Sequence, residues 1–140
     1  MSNYKCFDHT ADIGVEITGR TKNMLFVNAA EALFDVMMGN QTSRKAAQRR
    51  KTIIIDGDDV ADLLINFLRE ILYLFNGEKF VTGSCEIIKL TNKGLQARLT
   101  GEPFNSNKHL IKTEIKAVTY SGLTVDRVKA GWKARVIFDV

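Results

Sequence analysis

Val60-Ala61-Asp62-Leu63-Leu64-Ile65-Asn66-Phe67-Leu68-Arg69-Glu70-Ile71-Leu72-Tyr73-Leu74-Phe75 decides the fold class. Val60, Leu63, Leu64, Phe67, Leu68, Ile71, Leu72 and Phe75 recur at i, i+3, i+4 and i+7, which puts them on one face of an α-helix. Asp58 or Asp59 serves as its N-cap, and Asn76-Gly77 offers a left-handed exit, so the helix is expected over roughly 59–76. Nothing after it keeps a helical period. Helices followed by a long run of strands, with no alternation of the two, indicate an α+β fold.

Outward from this helix the strands declare themselves by alternation. Phe80 to Leu90 reads as one strand or a broken pair, and Asn92-Lys93-Gly94 as a turn. Leu95, Ala97 and Leu99 alternate with Gln96, Arg98 and Thr100. Gly101-Glu102-Pro103-Phe104 interrupts the pattern, and Asn105 to His109 is a polar connection. Ile111 to Tyr120 and Leu123 to Val128 are two further expected strands. Ala130-Gly131 turns into the last one, where Trp132, Ala134, Val136 and Phe138 face away from Lys133, Arg135, Ile137 and Asp139. In the other direction, Lys51 to Asp56 is a short β-branched strand, preceded at 40–50 by a flexible basic loop. Phe26, Ala29, Ala30, Leu33 and Met37 form the stripe of a helix at roughly 22–38, with Thr21 as N-cap and Gly39-Asn40 as stop. Ile13, Val15 and Ile17 define a half-buried strand from Asp12 to Thr18, ended by Gly19. The expected architecture is one α+β domain over 1–140, with mostly antiparallel sheet of about six to eight strands packed on two amphipathic helices.

Bulk properties fit that reading. The chain has 140 residues, 45% hydrophobic and 26% charged, which suits one globular domain. Its single proline, Pro103, argues against a linker-rich chain. Cys6 and Cys85 are too sparse for a disulfide framework or a thiolate metal site, and suit a reducing compartment. No apolar run reaches the roughly 20 residues of a membrane span. Met1 to Lys5 leads into no apolar signal core, so a cytoplasmic protein with no membrane contact is expected. The net charge of +4 favours an acidic partner only mildly. Much of it sits in Arg44, Lys45, Arg49, Arg50 and Lys51, a cluster better read as a solvated loop than as an RNA contact.

Phosphate loops, dinucleotide glycine fingerprints, His-Glu-x-x-His and nucleophile elbows are all absent. With two histidines in the whole chain, any metal would be held mainly by oxygens, as calcium, magnesium and manganese are. In Asp8-His9-Thr10-Ala11-Asp12 the plain reading is a hydrogen-bonded turn, and the sharper one makes Asp12 an anionic ligand with His9 beside it. Asp139, on the face opposite Trp132, adjoins Val140, which carries the terminal carboxylate. The two could bind a cation, though a solvated strand end is the simpler account. Lys116 is either half of a surface ion pair worth less than about 1 kcal/mol or a cation aimed at a phosphate. Glu102 and His109 read as loop-solvating residues.

Several stretches, taken together, carry more. Asp8 to Gly14 resembles the N-terminal signature of the archease family, and Ala29 to Met37 resembles its first helix. Gly101-Glu102-Pro103-Phe104, His109 and Glu114 to Tyr120 look like the family's central block, and Gly131 to Val140 looks like its C-terminus. The matches keep the family's order over nearly the whole chain. The resemblance implies an accessory protein, not an enzyme. It would act in tRNA splicing or RNA repair as the activator of an RtcB-type RNA ligase, speeding GTP-dependent guanylylation of the ligase histidine and supporting multiple turnover. RNA would be engaged indirectly, through the ligase. The resemblance also implies a metal site at Asp12 and Asp139 with Val140 as third oxygen, and a functional role for Lys116. The cofactor expected is a divalent ion, calcium ahead of magnesium or manganese. Asp12 and Asp139 could meet only if the first-read strand and the last are antiparallel neighbours. Where the family often has histidine after Tyr120 this chain has Ser121, which is not carried over.

Two other functions compete. A stand-alone metal-dependent phosphohydrolase would need a general base and a closed site, and the sequence offers few groups besides carboxylates. An RNA-binding or chaperone-like module would need exposed aromatics for base stacking, and most aromatics fall on expected buried faces.

Overall fold

Thr21 opens the first helix. Its backbone is extended, and its hydroxyl accepts the Met24 N–H, satisfying one of the donors a helix start leaves orphaned. Helix α1 spans Lys22–Met38 and stops at Gly39, whose φ of 71° suits glycine. Asp59 opens helix α2, Val60–Glu78, by accepting the Asp62 N–H. The exit lies further on than Asn76-Gly77. Buried Leu74 and Phe75 hold the last turn against the core, and Lys79 takes the left-handed conformation, with φ 58° and its N–H on the Leu74 and Phe75 carbonyls.

The computed structural model describes residues 3–9, 12–39, 49–106 and 109–140, and for residues 7–9 the backbone alone. Among the described residues seven strands form two antiparallel sheets. Sheet A holds β1 (Tyr4–His9), β2 (Asp12–Gly19), β7 (Gly131–Asp139) and β6 (Ala117–Val128), in that order. Sheet B holds β3 (Arg49–Asp56), β5 (Gly94–Pro103) and β4 (Phe80–Leu90), in that order. Both helices touch both sheets, so they form the middle layer. Phe26 of α1 meets Phe67 of α2 with ring centroids 5.7 Å apart. Val15, Ile17, Val136 and Phe138 close on the helices from one side, and Ala97 and Leu99 from the other.

The α+β class and the two helices match the sequence reading, and four details differ. Strand β1 was not expected. It is an edge strand without clean alternation, tied down by the Tyr4 hydroxyl, which donates to Asp35 of α1 at 2.8 Å. Arg49 and Arg50 belong to β3 rather than to the basic loop; the rest of that loop, 40–48, lies outside the described residues. Strand β5 continues through Gly101 and Glu102 to Pro103, whose missing N–H is tolerated at a strand end. The strand expected from Ile111 begins only at Ala117, because Lys112 and Thr113 give their N–H groups to the Met37 carbonyl at the end of α1. It then runs on to Val128 as one element. Between Thr119 and Thr124 it advances five residues while β7 advances two, and Gly122, at φ 68°, turns within the bulge. Among the described residues, no helix is long and apolar enough to cross a membrane.

Candidate functional site

Strands β2 and β7 pair antiparallel with Ile13 on Phe138, Val15 on Val136 and Ile17 on Ala134, all toward the helices. That register leaves Asp12 directly opposite Asp139 on the other face of the sheet. Cβ atoms of such opposed residues lie about 4.5–5.5 Å apart, close enough for like charges to repel. Asp139 is exposed and Asp12 half-buried. The row continues to either side. The backbone of His9 pairs with Asp12 in β1, and Ala117 pairs with Asp139 in β6. Lys116 is exposed next to Ala117, and its N–H donates to the Asp139 carbonyl at 2.7 Å. Val140 follows Asp139 directly.

Four of the residues singled out in the sequence thus converge on one end of sheet A: Asp12, Asp139, Val140 and the backbone of Lys116. His9 joins by register, while its side chain, like that of Asp8, lies outside the described residues. Among the described residues no three His, Cys, Asp or Glu side chains are grouped to hold a metal. The donor set at the row is two carboxylates and neighbouring main-chain oxygen, which fits a hard divalent cation better than a soft one. Ser121 lies on the bulge of β6, with its N–H on the Thr119 hydroxyl.

Glu102 and His109 do not solvate a loop. Both are buried, at 7% and 3% exposure, with Glu102 Oε1 2.6 Å from His109 Nε2. His109 Nδ1 accepts the Asn105 N–H at 2.9 Å, so the ring proton sits on Nε2 and the Glu102 carboxylate accepts it. Phe104 stacks on the imidazole at 5.6 Å between centroids and meets Phe75 of α2 edge-on at 5.7 Å. The pair pins the segment between β5 and β6, the one that delivers Lys116, to the core. The sequence signal was an acid and a histidine bracketing an aromatic.

The basic cluster resolves into separate environments. Lys51 pairs with Glu78 at 2.9 Å and lies over the Phe80 ring, Arg49 and Arg50 are exposed on β3, and Arg44 and Lys45 lie outside the described residues.

Comparison with known proteins places the chain. The model of the Archease protein family matches residues 4–140. The chain is 32% identical over 141 residues to Protein archease of Methanosarcina mazei, covering 98% of this chain and 95% of that protein. It is 34% identical over 145 residues to Protein archease of Pyrococcus furiosus, covering the whole of both. Among solved structures, the solution structure of Methanobacterium thermoautotrophicum protein 1598 superposes over the full length of both chains, with a TM-score of 0.78 and 29% identity. The crystal structure of an archease, possible chaperone, from Thermotoga maritima shares the fold over 97% of this chain and 96% of that one, with a TM-score of 0.64 and 22% identity. The chain belongs to the archease protein family.

Proposed function

We propose that this chain is a metal-binding protein cofactor of an RtcB-type RNA ligase, promoting guanylylation of the ligase histidine from GTP and supporting multiple turnover. The observation that carries this reading is the register of Asp12 against Asp139 at an open sheet end. Directly opposed carboxylates repel, and a divalent cation held between them offsets that repulsion. Asp12 and Asp139 would hold the ion, with Val140 offering a third oxygen. Calcium is preferred to magnesium or manganese. Bound there, the ion supplies positive charge and leaves coordination positions for oxygens of a second molecule.

The chain's own contribution is placement. The β2–β7 ladder fixes the two aspartates, and the Lys116 N–H on the Asp139 carbonyl keeps a cationic residue beside them. A lysine so placed suits a nucleotide phosphate in a partner's active site. No nucleophile or general base has to act here, so the chain works as an accessory factor, in the cytoplasm, meeting RNA through the ligase. The Thermotoga relative is described as a possible chaperone, and help given to a second protein is common to both descriptions.

The test is RNA joining by a cognate ligase with GTP and manganese, under single-turnover and multiple-turnover conditions. Wild type should accelerate guanylylation, and Asp12→Ala and Asp139→Ala should not. Equal stimulation by all three proteins would remove the metal site, and no stimulation by wild type would remove the ligase role.

A further inference from the structure

The opposite end of sheet A has the opposite charge. We propose that it is a binding site for the phosphodiester backbone of a nucleic acid strand, gathered around Trp132. Seven steps along β2 separate Asp12 from Gly19, so this pole lies about 24 Å from the acidic row.

Three chain turns converge here. Arg20 and Lys22 come from the junction of β2 and α1, Lys93 from the β4–β5 turn, and Arg127 and Lys129 from the β6–β7 turn. The Lys22 ammonium lies 5.6 Å from the Trp132 ring centroid and the Arg127 guanidinium 5.9 Å, so the half-buried indole holds two cations. Lys22 Nζ donates to Asn92 Oδ1 at 2.6 Å, which brings Lys93 alongside. Gly131, at φ 136°, packs so tightly that an added Cβ would lie 2.8 Å from the Arg20 Cα.

This cluster differs from ordinary surface lysines in drawing its cations from three chain turns onto one end of a sheet. Some strand cations are paired, Lys5 and Lys133 with Glu16, Lys51 with Glu78 and Arg98 with Glu86, while Arg49, Arg50 and Lys89 have no carboxylate partner among the described residues. Among the described residues none of the five cations at this pole has a carboxylate partner. Helix α1 also begins here, with Lys22 as its first residue and no acid in its first turn, although the positive helix end favours acids. Helix α2, with Asp62 in that place, follows the usual preference. Uncompensated cations at the positive end of a helix attract an extended polyanion. This inference is independent of the ligase role.

Trp132 is the only tryptophan, so its fluorescence reports on the site directly. Without ligase, the protein is titrated with single-stranded RNA, with DNA of the same sequence and with polyglutamate, at several salt concentrations. Saturable changes with RNA and weaker ones with polyglutamate are expected. Equal response to DNA assigns binding to the backbone alone, and a stronger response to RNA adds a 2′-hydroxyl contact; both uphold the site. Each phosphate contact contributes a slope of about −0.7 in log K against log salt, so Arg20→Gln/Lys22→Gln/Arg127→Gln should flatten it by about 2. The exposed single changes Arg20→Gln and Lys129→Gln should each flatten it by about 0.7 if the triple variant is misfolded. Arg49→Gln/Arg50→Gln should leave it unchanged. No response to either nucleic acid, an unaltered slope in the pole variants, or equal affinity for polyglutamate would overturn the proposal.

Discussion

His109 donates its only ring proton to the buried Glu102 carboxylate, 2.6 Å away, while its other nitrogen accepts from the Asn105 main chain. Removing the ring takes away a hydrogen bond to a buried carboxylate and leaves a cavity beside Phe104. His109→Ala should therefore cost about 2–4 kcal/mol. Glu102→Gln keeps an acceptor oxygen and should cost about 1 kcal/mol or less. Urea midpoints compared at equal m-values measure both, and equal losses would contradict the assigned tautomer.

The opposed aspartates predict a stability that depends on cations. Without metal, Asp12→Asn relieves repulsion worth about 0.2–1 kcal/mol and should raise Tm by a degree or more. Calcium or manganese should raise the Tm of wild type by several degrees, reversibly with chelator, and leave the variant unchanged. Thermal scans with and without chelator decide it.

Burial, with a smaller contribution from Glu86, pushes the Cys85 thiol from 9.0 up to about 12, whereas Cys6 is exposed. A raised value in the fold means stability fully present below pH 9.0 and lost as pH climbs from there through about 12. Alkylation at pH 8 should show one fast thiol and one slow. The slow rate should rise about tenfold per pH unit toward pH 11. Peptide mapping after a short pulse should find the label on Cys6.

Lys79 holds the left-handed position that ends α2, a conformation which costs a side-chain-bearing residue about 1 kcal/mol or more. Lys79→Gly should stabilise the protein by about 0.5–1 kcal/mol, glycine's extra chain entropy offsetting part of the relief. A lowered denaturation midpoint would mean that the lysine makes a compensating contact.

The sequence was most legible where a pattern is local. Helix α1 is bounded as expected because Thr21 and Gly39 decide its ends by their own chemistry. Helix α2 overran Asn76-Gly77 because its end is set by the packing of Leu74 and Phe75, which periodicity does not report. The strands expected at 111–120 and 123–128 are one bulged strand that starts late, at Ala117, since the Lys112 and Thr113 N–H groups are used to cap α1. At the acidic row, Asp12 and Asp139 were identified by resemblance to a family, and the ladder that opposes them is a tertiary fact. The burial of Glu102 and His109 was invisible for the same reason: it depends on tertiary contacts, among them the Glu102–His109 bond and the stacking of Phe104 on the imidazole.

Strand β7 is the last element in sequence, yet it lies inside sheet A, between β2 and β6. During synthesis β1 and β2 therefore emerge early and wait, one edge bare, for a strand more than a hundred residues downstream. A chain broken off before Gly131 would have no bridge between β2 and β6 and nothing to set opposite Asp12. The acidic row thus exists only on a chain in which β7 has been made and inserted beside β2.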